Sequence, residues 1–286
     1  MNEKGCNRHY YFHLGYYEGL TYHGELDDKE AFIIKGEKIS ERNESMIAKF
    51  TMADKEKQEC YAKKKEKLFP DIQSFSLQTQ YPGLLLGIGD LHNSGIEGEI
   101  MAGFSLDYVT GLPIIPGSSI KGVLRAAFLL GNGIVIREML ADLCKCNMEK
   151  LSISSLITSI FGSLESVDER KNRDVFFDAW MMLEEKKNAK DSFKCLGLDS
   201  ITPHRQTDLL ELAEPVPLTF LKVLPEVRFK FNFLLHDTEL VSEDGEKITI
   251  LESQTKKELF QELLCTFGIG AKTNVGYGVL KAQNDG

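Results

Sequence analysis

Residues 111–125 read Gly111-Leu-Pro-Ile-Ile-Pro-Gly-Ser-Ser-Ile-Lys-Gly-Val-Leu-Arg125. Pro113 and Pro116 hold the approach extended and disfavour helix just before them. Gly117 permits a sharp turn, and the hydroxyl of Ser118 or Ser119 suits the cap of the helix that follows. At about 100° per residue, Ile120, Val123, Leu124 and Ala127 share one side. Ser118, Lys121 and Arg125 share another, within an arc of roughly 60°. Two cations near a helix N-terminus oppose the macrodipole unless an anion binds there. Two readings follow. One is a capped amphipathic helix with solvated cations. The other is a phosphate site made of N–H groups, hydroxyls, a lysine and an arginine.

A second stretch belongs with the first. Leu259, Phe260, Leu263, Leu264 and Phe267 mark an amphipathic helix over residues 252–267. It runs into Gly268-Ile-Gly-Ala-Lys272-Thr-Asn-Val-Gly276-Tyr-Gly278. The order is helix, loop, strand, the reverse of Walker and Rossmann loops. The negative end of the helix faces the loop, so anion affinity must come from backbone N–H groups and Lys272. The glycines permit close approach of a ligand's backbone; the alternative is a tight helix-to-strand connection.

Composition narrows the classes. The chain has 286 residues, 42% of them hydrophobic, and a formal net charge of −9. That argues against a general nucleic-acid coat and against binding an anionic membrane, while leaving room for local basic patches. No stretch approaches ~20 uninterrupted apolar residues, and the first residues do not resemble a secretory signal. The six scattered cysteines suggest reduced thiols in the cytoplasm. Cys144-Lys-Cys146 lacks zinc-ligand spacing, so no metal is expected.

Elsewhere, residues 9–22 are rich in aromatic rings, suited to packing or to stacking on bases. Residues 42–69 read as a long basic helix. Residues 75–88 hold the first core strand, and residues 90–98 a polar loop matching no catalytic motif. Helix is expected within 134–165, with Gly162 as a C-cap. Strands are expected over 174–182, 193–203, 218–223 and 227–235, with a hairpin or protruding loop at 184–192 and a turn at Asp244-Gly245.

The segment 116–125 and the glycine loop resemble the two signature motifs of the RAMP superfamily, the RNA-binding subunits of type III CRISPR effector complexes. Phe176-Phe177-Asp178-Ala179, Thr202-Pro203-His204 and residues 215–223 are similar to the sixth-subunit family of the type III-B (Cmr) complexes. The resemblance implies an α+β fold with a ferredoxin-like β-α-β-β-α-β core. That core would occupy residues 73–286, with insertions at about 131–172 and 183–216, after an N-terminal extension over 1–72. It implies RNA-binding positions at Gly117, Ser118, Ser119, Lys121, Arg125, Gly268, Gly270, Lys272, Thr273 and Gly276. The implied partners are guide RNA near its 3′ end, target RNA indirectly, and other RAMP subunits along a filament. No cofactor is implied. RNA-cutting members carry an aspartate ten residues before the glycine of the Gly-x-Pro segment. Here that position is Met101, which neither binds Mg²⁺ nor acts as a base. The implied subunit is therefore non-catalytic. Two rivals stand beside it: a CRISPR-repeat endoribonuclease using His13, His92 or His204, and a protein-only assembly factor.

Overall fold

The computed structural model describes residues 16, 20–22, 32–34, 39–51, 70–86, 100, 104–108, 110–162, 173–182, 194–201 and 218–282. In chain order its first elements are β1 (Leu20–Tyr22), β2 (Phe32–Ile34), α1 (Ile39–Thr51), β3 (Gln73–Thr79), β4 (Ile114–Ile115) and α2 (Gly117–Leu129). There follow α3 (Ile134–Cys144), α4 (Ile153–Phe161), β5 (Val175–Phe176), β6 (Ala179–Met182), β7 (Leu196–Ile201) and β8 (Leu218–Val223). The chain continues through β9 (Arg228–Leu234), β10 (Thr238–Val241), β11 (Lys247–Leu251), α5 (Ser253–Phe267) and β12 (Leu280–Ala282).

The central strand shows why the sheet forms. β9 reads Arg-Phe-Lys-Phe-Asn-Phe-Leu, so Phe229, Phe231 and Phe233 point to one face while Arg228, Lys230 and Asn232 point to the other. The three rings are fully buried. The main sheet has the order β12-β3-β9-β6-β4, with β5 also pairing β9, and every pair is antiparallel. Separate two-stranded sheets are formed by β1 with β2, β7 with β8, and β10 with β11. The fold is thus α+β with antiparallel sheets.

Helix α5 packs on the ring-bearing face: Phe260 lies 5.6 Å from Phe233 and 5.7 Å from Phe176, centroid to centroid. Phe176 stacks on Phe161 of α4 at 5.6 Å, and Phe161 meets Phe128 of α2 edge-on at 5.2 Å. This chain of rings joins the sheet to three helices, and each buried ring contributes about 1.5–3 kcal/mol of apolar burial. Tyr16 and Met46 share the same core, each 1% exposed, and the Tyr16 hydroxyl donates to Asn43 Oδ1 at 2.7 Å. For Tyr16, packing is the role the structure shows.

Several boundaries differ from expectation. β3 begins two residues earlier than 75 and ends at Thr79; Leu84 to Leu86 are buried but only Leu84 forms a bridge, to Val223. The basic helix is described as α1 only up to Thr51; the lysine-rich remainder lies outside the described residues. The expected single strand over 174–182 is two short strands, since Phe177 and Asp178 break the pairing. The stretch 134–165 holds two helices, α3 and α4, which end in a left-handed Lys145 and at Gly162 with φ 82°. Residues 117–144 reach the length and apolarity of a membrane span taken together. They are two helices, broken where Gly131, Asn132 and Gly133 take φ of 56°, 53° and 78°, and each is shorter than the ~20 residues that crossing needs.

One buried charge locks the layers. The Lys256 ammonium, 0% exposed, donates to Asp174 Oδ2 at 2.7 Å, His236 O at 2.6 Å and Thr238 Oγ1 at 2.7 Å. All three N–H donors are used. Asp174 accepts a further bond from His236 N–H at 2.9 Å. Burial pushes the Asp174 carboxyl up, against the pull of Lys256, and burial pushes the Lys256 ammonium down. Stripping water from both charges therefore offsets much of their attraction, and removing one partner strands the other. Lys256→Met should lower the unfolding free energy by about 3–5 kcal/mol in urea denaturation. Asp174→Leu combined with Lys256→Met should recover most of that loss. An undiminished loss in the double variant would place the cost in packing instead of the stranded carboxylate.

Candidate nucleic-acid interface

The start of α2 is already occupied. Gly117 N–H donates to Asp178 Oδ1 at 2.8 Å, while Ser119 and Ile120 N–H donate to Pro116 O at 2.9 and 3.1 Å. No serine hydroxyl caps the helix. The expected serine cap is therefore corrected: the capping carboxylate arrives from the link between β5 and β6, where it sits at the positive end of the helix. The reason for Gly117 is corrected too. It has no left-handed φ, but a Cβ there would fall 2.2 Å from Phe176 O, so the glycine admits a close backbone approach.

The faces of α2 follow the helical period. Ile120, Leu124, Ala127 and Phe128 are buried and Val123 is half-buried. Ser118, Ser119 and Arg125 are exposed. Lys121 is half-buried, its Nζ 6.0 Å from the Phe176 ring centroid, a cation–π contact. Arg125 thus faces water, while Lys121 leans partly on the protein.

The glycine loop spends its glycines on itself. Gly268, Gly270, Gly276 and Gly278 have φ of 68°, 98°, 94° and 77°. A Cβ on Gly278 would lie 1.9 Å from Ile269 O, on Gly270 2.2 Å from Leu85 O, and on Gly268 2.7 Å from Gly278 O. The backbone amides close the same frame. Ile269 N–H donates to Gly278 O at 3.0 Å, Ala271 N–H to Leu85 O at 2.9 Å, and Gly278 N–H to Gly83 O at 2.9 Å. What remains outward is the tip: Lys272, Thr273, Asn274 and Val275 are exposed around a 3₁₀ turn, and Gly276 is half-buried. Lys272 itself holds φ 59°, a conformation costing an L-residue roughly 1–2 kcal/mol. Its backbone is fixed by the frame on either side.

A polar clamp that no local sequence signal marks pins the loop to the hairpin β7–β8. The Tyr277 hydroxyl donates to Asp199 Oδ2 at 2.7 Å, and Lys222 Nζ reaches the same oxygen at 2.6 Å. The Lys222 ammonium also lies 5.9 Å from the Tyr277 ring centroid. Burial raises the Asp199 pKa, but the hydrogen bond from Lys222, followed by that from Tyr277, outweighs it and the net shift is down. Burial, then the bond to Asp199 and its charge, push the Tyr277 phenol from 10.0 to about 12. A phenol raised in this way stabilises the fold below pH 10.0 and loses that contribution as pH climbs through about 12.

The two motifs do not converge on one point. The loop closes over the C-terminal end of β3, whereas Gly117 abuts Phe176 and Phe177, two strands across and about six residues down the sheet. At ~4.8 Å per strand and ~3.3 Å per residue, roughly 20 Å separates them. Met101, His13, His92 and His204 lie outside the described residues, and among the described residues no group of metal-binding side chains occurs.

A family model of the RAMP superfamily matches residues 76–281. No curated protein sequence matches the chain. Among solved structures, the chain is similar to one in the cryo-EM structure of the type III-B Cmr-beta bound to cognate target RNA. The TM-score is 0.54 at 22% identity, covering 91% of this chain and 77% of that one. It is also similar to Cmr6 from Pyrococcus furiosus, with a TM-score of 0.41, 23% identity, and coverage of 74% and 98%. The first likeness is one of fold.

The frame predicts an order among glycine variants. Gly276→Val should cost about 1–2 kcal/mol through its φ alone, because an added Cβ meets only Pro82 Cδ at 3.7 Å. Gly278→Ala should cost more despite its smaller side chain, since its methyl meets backbone. Thermal melting checks this, and a Gly278→Ala protein as stable as Gly276→Val would remove the frame.

Proposed function

Because this chain belongs to the RAMP superfamily, we propose that it is a non-catalytic, RNA-binding subunit of a cytoplasmic type III-B CRISPR RNA-guided effector complex. It binds guide RNA near the 3′ end, ends the backbone filament against other RAMP subunits, and meets target RNA only through the guide. Sequence recognition is left to base pairing. The strand order β12-β3-β9-β6 and the chain order β3, α2, β6, β9, α5, β12 support a ferredoxin-like core.

The observation carrying this reading is a division of labour within the two motifs. Gly117, Gly268 and Gly270 are consumed by the protein's own close approaches, whereas Ser118, Ser119, Arg125, Lys272 and Thr273 are presented to solvent. Polar and cationic groups at fixed positions suit phosphates. A separation of roughly 20 Å between Gly117 and the loop suits a strand of RNA better than a single phosphate. Methionine at position 101 supports a subunit that holds RNA without cutting it.

Lys121→Ala, Arg125→Ala and Lys272→Ala should each weaken guide and scrambled RNA alike. Each should reduce the steepness of log K against log salt by about 0.7, the slope that one neutralised phosphate of single-stranded RNA supplies. Filter binding at several salt concentrations reads this; slopes unchanged in all three variants would sink the phosphate reading. The pure chain incubated with repeat RNA and Mg²⁺ should leave the RNA intact, whereas cleavage abolished by His92→Ala or His204→Ala would instead favour the endoribonuclease.

A further inference from the structure

Tyr81 is 85% exposed, beside the glycine loop yet outside both motifs. Its backbone is held firmly. Gly83 N–H closes the turn onto Gln80 O at 2.7 Å, and Gln80 N–H donates to Val279 O at 2.9 Å. Gly278 N–H in turn donates to Gly83 O. The turn 80–83 and the loop 268–279 are therefore one hydrogen-bonded body, and the backbone that carries Tyr81 keeps a fixed relation to the backbone of Lys272. Pro82 lies against Gly276, and Tyr81 is close enough to influence the Tyr277 phenol.

The chemistry around the ring distinguishes its occupant. The exposed neighbours on the loop are Lys272, Thr273 and Asn274, with Val275 67% exposed. An apolar protein interface would surround an aromatic anchor with further apolar area and few charges. Among the described residues here, the only large exposed ring shares its surroundings with two valines, Val275 and the 41%-exposed Val279, and with a cation, a hydroxyl and an amide. That set matches a nucleotide, whose base has a π-face and whose phosphate takes a cation.

We propose that Tyr81 is a stacking platform for one unpaired base of the single-stranded RNA whose phosphates meet the loop. The proposal rests on the RNA-binding reading above and adds a base contact to it. Stacking reads no hydrogen-bond pattern, so the platform accepts any base.

The test uses the full chain and fixed-length RNAs, each carrying one abasic position, with binding followed by fluorescence anisotropy. For the wild type, one abasic position should weaken binding by roughly 5- to 150-fold. Tyr81→Ala should bind that RNA and its intact parent equally, at the wild type's abasic affinity. Tyr81→Phe should keep the wild-type pattern, because it keeps the ring. Unchanged melting temperatures are expected for both, given the exposure of the side chain. Intact RNA bound as tightly by Tyr81→Ala as by the wild type overturns the proposal and leaves the ring to a protein neighbour. Equal abasic losses in wild type and Tyr81→Ala overturn it too. Lys272→Ala, measured in parallel, reports the phosphate contact separately, so stacking can fail while RNA binding stands. A wild type that binds none of these RNAs overturns both.

Discussion

A single ammonium group orders both motifs of the candidate interface. Lys256 lies in the first turns of α5, and its partner Asp174 stands just before β5. Two residues beyond Asp174, the Phe176 carbonyl sets how close α2 comes to the sheet, and Asp178 holds the first amide of that helix. At the far end of α5, Gly268 opens the glycine loop. The same ion pair therefore fixes the segment that seats one motif and the helix that delivers the other. Its own net contribution is small, because dehydration opposes attraction.

The elements were legible where packing is periodic. Helices α2 and α5 could be read from the spacing of Ile120, Leu124 and Ala127, and of Leu259, Phe260, Leu263 and Leu264, because a helix repeats its buried face every 3.6 residues. Lys256 had a usable signal as well: it lies three and four residues before Leu259 and Phe260, on the apolar face, where a lysine needs a partner. Asp178 had none. It caps a helix 61 residues earlier, and nothing near Gly117 indicates that its amide is spoken for. The clamp between Tyr277 and Asp199 spans 78 residues and is equally invisible locally.

The glycines show how one residue type invites two explanations. In a sequence, glycine density beside a lysine suggests a cradle for phosphate. In the folded chain, Gly268, Gly270 and Gly278 are required by carbonyl oxygens of the protein itself, and their neighbours' amides are closed in the same frame. Close approach was the right physical property; the approaching group is the chain's own backbone. The phenylalanine–aspartate segment at 176–178 is explained in the same way, since it is the surface on which Gly117 rests.

The division between closed frame and open tip has a practical side. Residues 273–275 form a short exposed turn whose ends are bonded back to Lys272 and Thr273 and whose side chains support nothing beneath them. The stability of the fold is insensitive to changes of side chain there, because surface loops are altered at little entropic cost. A reporter dye attached through Asn274→Cys would sit at the exposed tip of the loop without entering the core.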